Sequence, residues 1–151
     1  RTFLIEGDGG FSQNLQELAT VAVNNLPIKT FIFANNGYGS IRMTQKNYFG
    51  GAYLGCDTET GLGFPDWHLL FESFGIPATT VDANWASDSN VIATLESAEP
   101  HGYIIPIDPL QTYWPKIMSR IVEGGGMESN PLHMMSPDLP PNTFTKVTKY
   151  L

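Results

Sequence analysis

The sequence predicts an α/β protein built on an open parallel sheet with helices on both faces. Three observations carry that prediction. Residues 2–6 (TFLIE) and 30–34 (TFIFA) are short apolar runs whose β-branched and aromatic content suits buried parallel strands. Between them, residues 12–25 place Leu15, Leu18, Ala19 and Ala22 at helical spacing, so the segment reads strand, helix, strand, with the two strands parallel. The same alternation of strand and helix returns further along the chain.

Each element has its own signal. Pro27 ends the first helical pattern and leads into the second strand. Residues 41–45 read as about one helical turn. Residues 46–64 combine Gly50, Gly51, Gly55, Gly61 and Gly63 with Tyr48, Phe49 and Tyr53 and show no periodicity. A long loop of this kind is read as a lid or substrate-contacting loop, with a solvated or interface loop as the alternative. Asp66 caps a helix carrying Leu69, Leu70 and Phe74, which stops at Gly75 with Pro77 just beyond. Residues 78–82 read as a third strand. Ser87 or Asp88 caps a further helix with Val91, Ile92 and Leu95 on its inner face, and His101-Gly102 leads into an apolar strand over 103–107. Residues 1–110 are thus expected to form the α/β domain. Beyond Asp108 prolines recur and Gly124, Gly125 and Gly126 break the chain, so 111–151 is expected to be a tail packed on the same domain or on a neighbouring subunit.

Composition narrows the classes of function. With 151 residues and 42% hydrophobic content there is room for one domain with a modest core. A net charge of −7 offers no basic stripe for nucleic acid. Cys56 is the single cysteine, so no internal disulfide forms. Nothing resembles a signal peptide or a bilayer-spanning run, so the expected compartment is the cytoplasm, with no membrane partner.

The chemistry gathers where the first two strands end. Gly7-Asp8-Gly9-Gly10 follows one and Ala34-Asn35-Asn36-Gly37-Tyr38-Gly39 the other, so parallel pairing brings Asp8 and Asn35 side by side in the crevice where open α/β sheets bind ligands. The glycines let backbone N–H groups approach an anion, and a helix opening near Ser12 adds its positive end. Asp8 is itself an anion, however, and no Lys or Arg follows as in a P-loop, so a bare phosphate would be repelled. A divalent cation resolves the conflict: a carboxylate, an amide oxygen, a backbone carbonyl, two phosphate oxygens and water make the hard oxygen shell that Mg²⁺ prefers. The inferred ligand is a magnesium diphosphate. A plain hairpin turn at Asp8-Gly9 is the competing reading, and the helical spacing after Gly10 argues against it. His68, His101 and His133 lack metal-ligand spacing, and Cys56 has no basic neighbour in sequence to activate it. Ser40 lacks the flanks of a nucleophile elbow. Glu17 is read as a surface or interface residue, and Trp67, Trp85 and Trp114 as packing residues.

The pair Gly7-Asp8-Gly9 and Asn35-Asn36, with 27 positions from Asp8 to Asn35, resembles the signature of the thiamine diphosphate (ThDP) enzymes. Members of that family commonly read Asn-x-x-Tyr-Gly, a frame matched from Asn35 to Gly39, with Ala34 replacing a preceding Asn. The resemblance therefore implies ThDP and Mg²⁺ as cofactors, with metal ligands Asp8, Asn35 and the Gly37 carbonyl; Asn36 is the alternative to Asn35. The implied cofactor-binding set is Gly7, Asp8, Gly9, Gly10, Asn35, Gly37, Tyr38, Gly39 and Ser40. Gly37 to Arg42, Asn47 to Gly51, Pro65-Asp66-Trp67, Asp108-Pro109, Pro115-Lys116 and the tail from Asn130 to Pro140 are similar to the acetolactate-synthase-like branch. That likeness covers nearly the whole chain.

What the resemblance implies for function follows. The chain would be the carboxyl-terminal ThDP-binding domain of an enzyme that decarboxylates a small 2-keto acid, such as pyruvate, and ligates the enamine to a second carbonyl. The glutamate that activates the cofactor would come from the pyrimidine-binding domain of a partner subunit, so no catalytic residue is assigned in this chain. Alone it is expected to be inactive, and the protein is expected to be a homodimer or tetramer. The abrupt first strand suggests a fragment, or one chain of an assembly, whose sheet is incomplete at its N-terminal end. Alternatives are a ThDP-dependent decarboxylase or oxidase, or a non-catalytic Mg-ThDP module. A Mg-nucleotide phosphotransfer domain is disfavoured by the missing phosphate-contacting Lys.

Overall fold

The computed structural model describes residues 1–112 and 114–151, and the chain divides into two compact units, Arg1–Gln111 and Thr112–Leu151. The first unit holds a four-stranded parallel sheet of β1 (Thr2–Gly7), β2 (Ile28–Ala34), β3 (Ala78–Thr80) and β4 (His101–Pro106) in the order β1-β2-β4-β3. The helices are α1 (Asp8–Phe11), α2 (Glu17–Val23), α3 (Gly39–Tyr48), α4 (Trp67–Ser73) and α5 (Ser89–Glu96).

Helices pack on both faces of the sheet, and residue alternation along the strands decides which side chain goes where. Ile32 and Ile104 point to one face and pack with Phe11, Leu18, Trp67, Phe71 and Ile76, so α1, α2 and α4 lie there. Phe31, Tyr103 and Ile105 point to the other face, where Val81, Val91 and Leu95 bring in α5. Phe71 is 1% exposed, and its ring lies where a Cβ on Gly102 would come within 2.8 Å. A glycine in β4 thus makes the room that burial of this ring needs, a burial worth about 1.5–3 kcal/mol.

Several expected boundaries hold and others move. Asp66 caps α4 by accepting the Leu69 N–H at 3.1 Å, and Gly75 at φ +72° closes that helix. Asp88, rather than Ser87, caps α5 by accepting from Asn90 and Val91. The helix expected over 12–25 instead begins earlier and runs in three pieces over 8–23. Helical backbone starts at Asp8, tightens to a 3₁₀ turn over Ser12–Asn14, and resumes as α2. The Ser12 hydroxyl donates back to the Asp8 carbonyl at 2.7 Å, a local bond that competes with the regular ladder. α3 is also longer than the single turn expected, running ten residues.

β1 departs from the reading of a strand buried on both faces. It lies at the edge of the sheet beside β2, and Phe3, Leu4 and Ile5 are 55%, 38% and 64% exposed. Strand order is a property of the whole topology, which an apolar run does not encode.

The second unit contains β5 (Lys116–Ile117) paired antiparallel with β8 (Met135–Ser136), β6 (Ser119–Ile121) paired antiparallel with β7 (Met127–Ser129), and α6 (Pro141–Thr148). No helix among the described residues is long and apolar enough to cross a membrane.

Candidate functional site

The register of the sheet places the two glycine-rich loops next to each other. Gly7 of β1 is opposite Phe33 of β2, so the residues that follow both strands leave the sheet at the same edge. Asp8 is 1% exposed. Its Oδ2 accepts the Asn36 N–H at 2.6 Å, and its Oδ1 accepts the Gly9 N–H at 2.8 Å. Burial pushes the Asp8 carboxyl above its usual value, against the pull of backbone N–H groups of Gly9, Asn36, Gly37 and Asn35. Among the described residues the ion pairs are Arg42–Asp57 and Arg120–Glu128, so Asp8 is a buried carboxylate balanced by peptide dipoles.

Asn35 and Asn36 have different surroundings. Asn35 Oδ1 is buried with no hydrogen-bond partner. Its amide nitrogen lies 2.9 Å from the position of a Cβ on Gly39, so a glycine there makes room for this side chain. Asn36 adopts φ +57°, a left-handed conformation that Asn tolerates, and this turns its N–H onto Asp8. Its side chain lines a separate hollow with Thr58, Phe64 and Trp67.

The remaining predicted residues surround this pair. Gly7 is the extended residue before α1. Gly9 lies under the Tyr38 ring, whose nearest atom would be 2.4 Å from an added Cβ, and Gly10 faces the Glu6 carboxylate at a like distance of 2.4 Å. Gly37 is buried and forms an isolated antiparallel bridge with Asp57. A Cβ on Gly37 would meet the Cys56 carbonyl at 2.4 Å. Ser40 lies in the first turn of α3, where its carbonyl accepts from the Thr44 hydroxyl at 3.0 Å.

Two further residues, outside the implied cofactor-binding set, reach this turn. Arg42, on α3, donates to Asp57 Oδ2 through Nε at 3.1 Å and Nη2 at 3.0 Å, and through Nη1 to the Pro109 carbonyl at 2.6 Å. Asp57 Oδ1 accepts from the Thr60 N–H and hydroxyl at 2.9 and 2.7 Å. The Thr60 hydroxyl, helped by the Thr60 N–H and Arg42, outweighs burial and holds the Asp57 carboxyl below its usual value. The spacing Asp57-x-x-Thr60 is a cap signal that sequence reasoning passed over; nothing local signals its pairing with Arg42.

The donor set left by these contacts is chemically uniform. One buried carboxylate, one unpartnered amide oxygen and the carbonyls of a tight turn are hard oxygen ligands, suited to Mg²⁺ and poorly suited to softer metals. Among the described residues no three His, Cys, Asp or Glu side chains gather to hold a metal.

A parallel α/β sheet with such a cradle beyond its strand ends is an open α/β ligand-binding domain. Residues 1–106 match the family described as thiamine pyrophosphate enzyme, C-terminal TPP binding domain, and the chain belongs to that family. It is an acetolactate-synthase-like ThDP-binding domain. It is 32% identical over 133 residues to the acetolactate synthase isozyme 2 large subunit of Escherichia coli K12, covering 87% of this chain and 23% of that one. It is also 33% identical over 109 residues to a probable acetolactate synthase large subunit of Methanococcus aeolicus, covering 72% and 18%. The chain therefore spans about a fifth of the relatives it matches. The fold is similar to that of the ThDP-dependent 4-hydroxybenzoylformate decarboxylase of Rhodococcus jostii RHA1, with TM-score 0.61, 22% identity and coverage of 70% and 19%.

Proposed function

We propose that this chain holds Mg²⁺ and the diphosphate of ThDP for an enzyme that decarboxylates a small 2-keto acid, such as pyruvate, and joins the remaining fragment to a second carbonyl. The observation that carries this reading is the buried, unpartnered Asn35 Oδ1 beside the buried Asp8 carboxylate. Leaving both without a positive partner is costly, and a divalent cation held by both would compensate them at once. Asp8, Asn35 and the Gly37 carbonyl are the proposed metal ligands, with Gly7, Gly9, Gly10, Tyr38, Gly39 and Ser40 shaping the diphosphate cradle.

Bound ThDP supplies the electron sink for loss of CO₂. The work of this chain is positioning: the residues of the cradle would fix the diphosphate and so hold the reactive part of the cofactor in place. No residue here is assigned to proton transfer. The activating glutamate is proposed to come from the pyrimidine-binding domain of a partner subunit in a cytoplasmic homo-oligomer, so this polypeptide alone is inactive. The similarity to acetolactate synthase large subunits supports carboligation over simple decarboxylation.

The test is calorimetric titration of ThDP into the natural polypeptide carrying this chain, with and without Mg²⁺, followed by pyruvate turnover. Saturable binding that requires Mg²⁺ and is abolished by Asp8→Asn is expected. ThDP binding that ignores Mg²⁺ or survives Asp8→Asn would refute the metal site, and binding without turnover of any 2-keto acid would favour a non-catalytic module.

A further inference from the structure

The Gly37 carbonyl and the Tyr38 N–H belong to one peptide unit, which is planar and trans, so the two groups point in opposite directions. The Tyr38 N–H donates to the Cys56 carbonyl at 2.8 Å. Whatever fixes the Cys56 carbonyl therefore aims the Gly37 carbonyl the other way.

Two sets of contacts fix it. The Thr60 hydroxyl accepts from the backbone N–H groups of Cys56 and Asp57 at 3.0 and 3.1 Å. Asp57 is gripped from α3 by the Arg42 fork, and Arg42 is itself anchored to the Pro109 carbonyl after β4. The pair is well shielded, with side chains 13% and 14% exposed, unlike the Arg120–Glu128 pair at 57% each. The space is closed around Gly37, where an added Cβ would meet the Cys56 carbonyl at 2.4 Å, Arg42 Nη2 at 3.0 Å and Asp57 Cβ at 3.2 Å. Gln45, one turn further along α3, holds Leu54 through its backbone N–H and carbonyl at 3.2 and 3.0 Å. The chain on the far side of the turn is thus tied to α3 at two levels.

We propose that Arg42 and Asp57 are a positioning pair that sets the direction of the Gly37 carbonyl, and so tunes the affinity of the Asp8–Asn35–Gly37 site for its divalent cation. This deepens the Mg-ThDP reading and rests on it. The pair touches neither metal nor substrate; it acts through Cys56 and the shared peptide plane. Supports of this kind behind a metal ligand commonly change metal affinity by 10–100-fold.

Mn²⁺, an oxygen-preferring stand-in for Mg²⁺ that is visible by electron paramagnetic resonance, provides the test. Mn²⁺ is titrated into the natural polypeptide carrying this chain with ThDP present. Arg42→Gln removes the fork. Asp57→Asn keeps a carbonyl oxygen for the Thr60 cap and loses the charge, so it serves where the first variant folds poorly. Both are expected to weaken Mn²⁺ binding by about tenfold, while saturating metal restores the full number of sites. Arg120→Gln, which breaks an exposed pair elsewhere, leaves the midpoint unchanged. A role in stability alone lowers the number of competent sites or the Tm and leaves the midpoint of the folded protein where it was; that result overturns the proposal. If the unmodified protein shows no ThDP-dependent Mn²⁺ binding, the cofactor reading itself fails and the proposal falls with it.

Discussion

The Asn36 N–H donates to the buried Asp8 carboxylate at 2.6 Å, which joins the turn after β2 to the first residue after β1. The bond is made by backbone, so the identity of the Asn36 side chain matters mainly through its φ of +57°. Glycine adopts that conformation freely. Asn36→Gly is therefore expected to leave Mg²⁺-dependent ThDP binding within about threefold. Asn35→Ala removes the unpartnered amide oxygen and is expected to weaken it by at least about tenfold, the size of loss that disturbing a metal shell brings. The two dissociation constants, measured side by side, decide between Asn35 and Asn36 as ligand; the reverse order would assign Asn36.

Gly37→Ala tests the close approach of two backbones. The obstacle to a Cβ is the Cys56 carbonyl at 2.4 Å, main chain that cannot swing aside as a flexible side chain does. Either the turn or the 56–57 segment must move, and strain of this kind costs on the order of 1–3 kcal/mol. Thermal unfolding of the metal-free protein is expected to show a lower Tm, and Mg²⁺ affinity is expected to fall together with it. An unchanged Tm would mean that the 56–57 segment yields easily and does not constrain the turn.

The strands and the two glycine-rich stretches that follow them are readable because their signals are local. β-branched and aromatic runs fix β2 and β4, and the cap residues Asp66 and Asp88 mark where α4 and α5 begin. The proposed magnesium-diphosphate site rests on local chemistry as well, an acid among glycines with no cation to accompany it. What escaped was set by context. The helix is expected to open near Ser12, yet helical backbone already starts at Asp8, a boundary that no capping side chain marks, since Gly7 at the N-cap makes no side-chain bond. α3 carries no apolar stripe that would show its length, since Arg42, Thr44, Gln45 and Lys46 fill it with polar groups. The Arg42–Asp57 pair joins a helix to a loop without periodicity, a contact that depends on the folded path of the chain between them.

His101 gives the protein an acid-sensitive point far from the loops beyond the strand ends. It is 6% exposed at the start of β4, with its ring 4.7 Å from that of Tyr103 and Nε2 2.9 Å from the Thr79 hydroxyl. Lys29, its register partner on β2, is fully buried, with Nζ donating to the Ser97 hydroxyl at 2.9 Å and to the Glu99 carbonyl. Burial first, and then the Lys29 cation, lower the His101 pKa from 6.5 to about 4. The unfolded chain takes up a proton near 6.5 and the folded one resists it until about 4, so between these values the unfolded state binds more protons. Stability contributed by neutral His101 is thus fully present above the upper value and is lost as the pH falls towards the lower one. The loss amounts to about 1.4 kcal/mol for each pH unit below the upper value. Urea unfolding at about pH 7.5 and about pH 5.5, before most carboxylates titrate, reads this directly. The unmodified protein is expected to lose roughly 1 kcal/mol between the two. His101→Gln, which keeps an amide within reach of Thr79, is expected to flatten that dependence. Parallel losses in both proteins would assign the acid sensitivity to another group.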